Sequence, residues 1–164
     1  MATKKGGPGI AIDFADIRKV IGLAEEDPAL AKLLGRAGKV VWTKPDGGQR
    51  YAQAKQAGFD LLVGRPRDGK RTDPKIVDTI FLYSGKEGQK HAPFAKPPFG
   101  ITFTTRAEVL AALPTPDHSW IIGKGKVPLQ SKGIDHDAWK LEGLDVSVDY
   151  RDDDVRMILV SKSK

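Results

Sequence analysis

Apolar residues recur along this chain with two different rhythms. A helical spacing appears three times. Phe14, Ile17, Val20 and Ile21, with Leu23 closing the run, predict a helix over 13–23 that Asp13 caps. Leu30, Leu33 and Leu34 follow Asp27-Pro28, an N-cap with proline in the first turn, and stop at Gly35, which predicts a helix over 28–35. Val109, Leu110 and Leu113 follow Thr105 and Glu108, which are spaced as a capping box, and Pro114 ends that helix.

Elsewhere the spacing is that of strands. Phe59, Leu61 and Val63 alternate with Asp60, Leu62 and Gly64. "IVDTIFLYS" (76–84) is nearly all apolar or β-branched, which predicts a central strand. Shorter strands are predicted at 40–43 and 50–55, around the turn "KPDGG". In the second half, 119–127 reads as a strand that breaks at its glycines, and 137–143, 144–151 and 155–162 as consecutive antiparallel strands, with "RDDD" (151–154) as the last tight turn. Residues 1–10 read as a loose N-terminus, 65–75 as a long polar loop and 85–100 as a Pro/Gly-rich bridge.

The strand pattern occurs twice. Shifted by 85 residues, "GFDLLVGRPRD" (58–68) falls on "GLDVSVDYRDD" (143–153): Gly58 on Gly143, Asp60 on Asp145, Val63 on Val148. Upstream, Lys55 falls on Lys140. Downstream, once the longer first loop is removed, "IVDTIFLYS" aligns with "VRMILVSKS". Each copy has one apolar sheet face and a helix to cover it, and such units stack when neither buries its apolar face alone. The expected fold is therefore α+β in a single domain over 1–164: two helix–β-meander pseudo-repeats, 11–84 and 101–162, joined by the bridge. They would form one antiparallel sheet with helices packed on one face.

Charge adds a direction. The net charge is +6, and the excess lies early, with 18 Lys/Arg against 11 Asp/Glu in residues 1–100 but 9 against 10 in 101–164. That bias favours encounter with an acidic partner, protein or nucleic acid. The chain has no cysteine, which removes disulfides, thiolate zinc sites and cysteine nucleophiles, and fits a cytoplasmic protein. The N-terminal residues lack the apolar core of a secretory signal, and no run is long enough to span a membrane.

Recognisable catalytic chemistry is missing from the pattern. No serine sits in a nucleophile elbow, and neither "GRPRDGKR" (64–71) nor "GKGK" (123–126) matches a phosphate-binding loop. "DHDAW" places Asp135 and Asp137 on the opposite side from His136, so it reads as a solvated loop rather than a metal site. We expect no enzyme activity, no cofactor and no metal. The binding candidates are Arg65, Arg67, Lys70 and Arg71 on a loop longer than its repeat counterpart, Lys124 and Lys126 in the second basic loop, and Trp42 and Trp120, which adjoin basic turns as aromatic anchors do. Trp139, beside the repeat glycine, is expected in the core.

"PPFGITFTTRAEVLAALPTPD" (97–117) and "AWKLEGLDVSVDY" (138–150) resemble bacterial toxin-immunity proteins with the tandem helix–sheet repeat of β-lactamase-inhibitor proteins and small outer-membrane assembly lipoproteins. The resemblance covers roughly 58–162 and lies in fold-forming residues. The chain departs from the lipoproteins in lacking a lipobox cysteine, and from the secreted inhibitor in lacking disulfides. What remains implied is a cytoplasmic immunity protein. It would bind a toxin used in bacterial competition, such as one delivered by type VI secretion, in a one-to-one complex through an acidic toxin surface. The alternative is a nucleic-acid-binding module that uses the basic loops 64–71 and 123–126.

Overall fold

The computed structural model describes residues 12–65, 70, 72–86 and 88–163. The expected N-terminal segment 1–10, and Arg67 and Arg71, lie outside the described residues. Among the described residues three α-helices are present: α1 (Phe14–Arg18), α2 (Pro28–Arg36) and α3 (Arg106–Ala112). The strands are β1 (Val41–Trp42), β2 (Arg50–Ala54), β3 (Phe59–Gly64), β4 (Ile76–Tyr83), β5 (His118–Ile121), β6 (Gly125–Val127), β7 (His136–Leu141), β8 (Leu144–Arg151) and β9 (Asp154–Lys162).

All nine strands join one antiparallel sheet in the order β1-β2-β3-β4-β9-β8-β7-β5-β6. The α+β fold expected from the pattern is thus the fold observed, with two meanders meeting at β4 and β9. Ala52, Phe59, Leu61, Ile80, Leu82, Val146, Val148, Ile158 and Val160 turn to one face, where Ile17, Leu30, Leu33 and Val109 of the helices join them in the core. Period-two alternation on the strands and 3.6-residue spacing on the helices thus meet in one apolar layer.

Caps behave largely as their residue types demand. Asp13 and Asp16 form a reciprocal capping box on α1, and Asp27 accepts from the Ala29 amide at 2.8 Å. Thr105 accepts from the Glu108 amide, but the Glu108 carboxylate takes the Thr104 hydroxyl at 2.7 Å instead of closing the box. Helix α1 is shorter than predicted. Gly22, at φ 86°, turns the chain out of the helix, and the Gly22 and Glu25 amides donate to Val77 and Lys75 beside the start of β4. Sheet pairing wins over the continuing helical spacing there.

The pairing register corrects the repeat alignment in two places. The β2–β3 turn holds four residues (55–58) and the β7–β8 turn two (142–143), so Lys55 lies in a turn while Lys140 lies on β7. Asp60 pairs with Phe81, and its equivalent Asp145 pairs with Ser161. The last strands therefore match at a shift of 80, one residue away from the direct alignment of "IVDTIFLYS" with "VRMILVSKS". A one-residue slip exchanges the two faces of a strand. At the observed shift Ile80 corresponds to Val160, and these two residues pair with each other. The pseudo-twofold axis of the sheet passes through that pair.

Each final strand also carries a bulge that alternation does not reveal. Leu62 pairs with Thr79 and Val63 with Val77, which leaves Asp78 extra. Asp149 pairs with Met157 and Tyr150 with Val155, which leaves Arg156 extra.

The bridge is a packed element. Phe94 is buried, its ring edge against Phe59 at 6.4 Å, and its amide donates to the Tyr83 carbonyl. A Cβ on Gly58 would stand 2.5 Å from the Ala92 carbonyl oxygen, so this glycine serves close approach as well as its φ of 80°. Its partner Gly143 has φ 78° and no atom within 4 Å of such a Cβ.

Candidate functional site

The alternation that sends Phe59, Leu61 and Ile80 to the helices sends their neighbours to the opposite face, which carries no helix among the described residues. From the register, one row across that face runs Gln53, Asp60, Phe81, Leu159, Ser147, Ala138 and His118. The next runs Tyr83, Met157, Asp149, His136, Trp120 and Lys126. A third begins with Tyr51, which is exposed and packs on Phe81 at 5.8 Å between ring centres. Antiparallel sheets tolerate a solvated face, which is then mostly polar. Here Tyr51, Phe81, Met157 and Leu159 put an apolar patch at its centre.

This face holds a groove of about 950 Å³ over β5, β7 and β8, where Trp120 stacks on His136 at 5.7 Å beside His118, Lys140 and Asp145. His136 is thus the first residue of a strand and an aromatic neighbour of Trp120, not part of a solvated loop. Asp137 does face away from it, as strand geometry requires. The 151–154 segment is a hairpin end, with Asp152 and Asp153 both at positive φ.

The predicted binding residues do not gather in one place. Trp120 and Lys126 are directly paired on the helix-free face, and Lys124 is exposed at the tip of their hairpin. Trp42 lies near the other end of the strand order and on the helix-covered side. There it packs against the core under the Arg50 guanidinium, 4.1 Å away, and Arg50 is itself paired with Glu25. Arg65 is half-buried beside Gly48, and among the described residues its Nε has no hydrogen-bond partner. Lys70 is exposed, and its backbone amide donates to Asp73. Strand directions place Arg65 at the opposite end of the sheet from the 122–124 turn, so Arg65 and Lys124 belong to no common patch.

Two buried polar clusters escaped the sequence pattern. On the helix-free side, Asp60 accepts from the Tyr83 hydroxyl at 2.9 Å and meets His91 Nε2 at 2.7 Å, with Tyr83 stacked on His91 at 3.7 Å. Burial and then the Asp60 charge push the Tyr83 phenol above its usual range. An aspartate inside the apolar run "GFDLLVG" was the available signal. Asp145, its repeat equivalent, bonds only the Ser163 hydroxyl, at 2.9 Å, among the described residues.

On the helix side, fully buried Asp137 accepts from Arg106 Nε at 2.8 Å, the Ser119 hydroxyl at 2.5 Å and the Tyr150 hydroxyl at 2.8 Å. This cluster ties α3 to the sheet. Burial is the largest single effect and opposes the Arg106 charge, but the bond to Asp137 and the nearby charges of Asp137 and Asp153 together outweigh it, leaving the guanidinium above its usual range. Trp139 is buried and donates to the Pro114 carbonyl at 2.8 Å, in the core role expected for it. Among the described residues no group of carboxylates and histidines could hold a metal, and no helix is long and apolar enough to cross a membrane. Comparison with protein-family models, curated proteins and solved structures found no match to the chain.

Proposed function

We propose that this chain is a cytoplasmic immunity protein, which neutralises a toxin by docking on it with the helix-free face of its sheet. One observation carries the reading: Tyr51, Phe81, Met157 and Leu159 form an apolar patch on a face that no helix of the described residues covers. An apolar centre with a polar surround is the anatomy of a protein interface. A nine-stranded sheet holds such a surface rigid, so little ordering is needed on binding. Trp120, stacked on His136, is the aromatic anchor toward one edge. The mechanism is steric: the face covers the toxin's working surface, and the net charge of +6 speeds association with an acidic toxin.

The test is affinity capture from the native cell, followed by titration calorimetry with the principal partner. A one-to-one complex that silences the partner's toxicity, and that Phe81→Asp or Trp120→Ala weakens at least about tenfold, is the expected result. Recovery of nucleic acid alone, released by salt, overturns it in favour of the alternative module.

A further inference from the structure

A second groove, of about 720 Å³, opens at one end of the helix-free face. Lys55, from the β2–β3 turn, and Lys90, from the bridge, line one side, and Arg151 and Arg156, from the β8–β9 hairpin, line the other. These four cations come from three segments far apart in sequence. Among the described residues none of them is ion-paired. Like charges repel when gathered without a counter-charge, so such a cluster costs stability unless an anion uses it.

The groove is built rather than incidental. Its wall contains Tyr83 and His91, fixed by Asp60, and the Asp60 and His91 side chains are only 5% and 8% exposed. The Arg156 carbonyl accepts from the Ser84 amide (3.1 Å), which extends the β4–β9 pairing past Tyr83–Met157, and from Gln89 Nε2 (2.9 Å). Gln89 Oε1 in turn accepts from the Gly85 amide at 2.8 Å, and the Ala92 amide donates to Lys55 at 2.8 Å. The loop bearing Lys90, the turn bearing Lys55 and the bulge bearing Arg156 are thereby locked together. Among the described residues Asp149 is the one acid lining the groove, and burial pushes its carboxyl above the usual range.

The rim separates two kinds of anion. Asp152, Asp153 and Asp154 follow Arg151 directly and are all exposed. A nucleic-acid strand leaving the groove carries a phosphate at every step and would meet these acids. A protein segment carries its carboxylates in one stretch and places other residues beside the rim.

We propose that this groove is the recognition site for an acidic protein segment, a short run of Asp and Glu side chains, held by Lys55, Lys90, Arg151 and Arg156. The inference rests on the preceding reading that the helix-free face docks on a partner protein, and it locates the charge complementarity in the 55–58 turn and the β8–β9 hairpin rather than in loops 64–71 and 123–126.

The test measures anisotropy of a labelled short oligoglutamate peptide against the full chain, with a labelled thymidine oligonucleotide of equal charge beside it. Lys90→Glu/Arg156→Glu is expected to weaken peptide binding at least about tenfold, while Lys32→Glu/Lys39→Glu, the same charge change on exposed residues of α2 and after it, has little effect. Circular dichroism checks that both variants remain folded. Equal losses in the two variants, or tighter groove-dependent binding of the oligonucleotide, overturn the proposal. If Phe81→Asp abolishes capture of a protein partner while the groove variant leaves that capture and peptide binding intact, the groove assignment alone falls. If capture survives Phe81→Asp and the groove variant alike, the reading beneath it falls too.

Discussion

Ile80 on β4 lies directly opposite Val160 on β9, and each is the repeat equivalent of the other. Both are fully buried. The two halves are therefore joined by the same position of each copy, on the line about which one copy turns into the other. Neither half closes a core without that seam. Truncation of buried branched aliphatics costs about 2–5 kcal/mol for isoleucine and somewhat less for valine. Ile80→Ala and Val160→Ala should each lower stability within that range, and the double variant should depart from additivity, because both open the same cavity. Urea unfolding of the set measures this. Additive losses would mean that the halves pack independently.

The two repeat glycines should separate sharply. Gly143→Ala meets only the backbone strain of a positive φ, about 1–3 kcal/mol. Gly58→Ala meets that strain and also a backbone oxygen 2.5 Å and a backbone nitrogen 2.6 Å from the new carbon, so the bridge must move away from the 55–58 turn. Its melting temperature should fall well below that of Gly143→Ala. Equal melting temperatures would show that the bridge yields at no cost.

Element positions were legible because alternation and capping act locally. Strand 144–151 alternates cleanly and 59–64 does so except at Leu62, and both begin after a glycine that must turn. The register of the final strands was not legible. "IVDTIFLYS" places apolar residues on both faces, so nothing in it fixes the phase, and a bulge at Asp78 or Arg156 adds a residue without altering composition. The candidate site suffered for the same reason. Phe81 and Leu159 look like core residues in sequence, and only strand order shows that their face lacks a helix. Trp42 and Trp120 look alike beside their basic turns, yet strand order sets them near opposite ends of the sheet and on opposite faces. The groove cations come from three separate stretches, so spacing alone could not assemble them.

Two ion pairs in this protein should differ in worth. Arg106 is the cationic partner of fully buried Asp137, whereas Arg18 meets Glu142 on the exposed surface at 2.8 Å. Removing one member of a buried pair strands the other and costs about 3–5 kcal/mol, whereas exposed pairs contribute about 0–1 kcal/mol. Arg106→Ala should therefore destabilise strongly and Arg18→Ala hardly at all. Chemical denaturation of both gives the comparison, and a mild Arg106→Ala would mean that the Ser119 and Tyr150 hydroxyls suffice to hold the Asp137 charge.

Alkaline pH should expose the tyrosine clusters. Burial, then the charge of a bonded aspartate, pushes the Tyr83 and Tyr150 phenols above their usual range. An unfolded phenol ionises near about pH 10. Above that pH the unfolded chain has lost these protons while the folded chain keeps them. The folded state then binds more protons, and stability falls as pH rises. Below that pH both states hold the protons and no slope arises from these groups. Tyr150→Phe removes one such proton together with one of the hydrogen bonds to Asp137. It should cost about 1.5–3 kcal/mol at neutral pH, as a bond to a charged group does, and its deficit against the parent should shrink as pH climbs past about 10. Parallel unfolding curves from pH 7 to 11 read the difference directly. A deficit constant across that range would mean that the Tyr150 phenol ionises as freely in the fold as in the open chain.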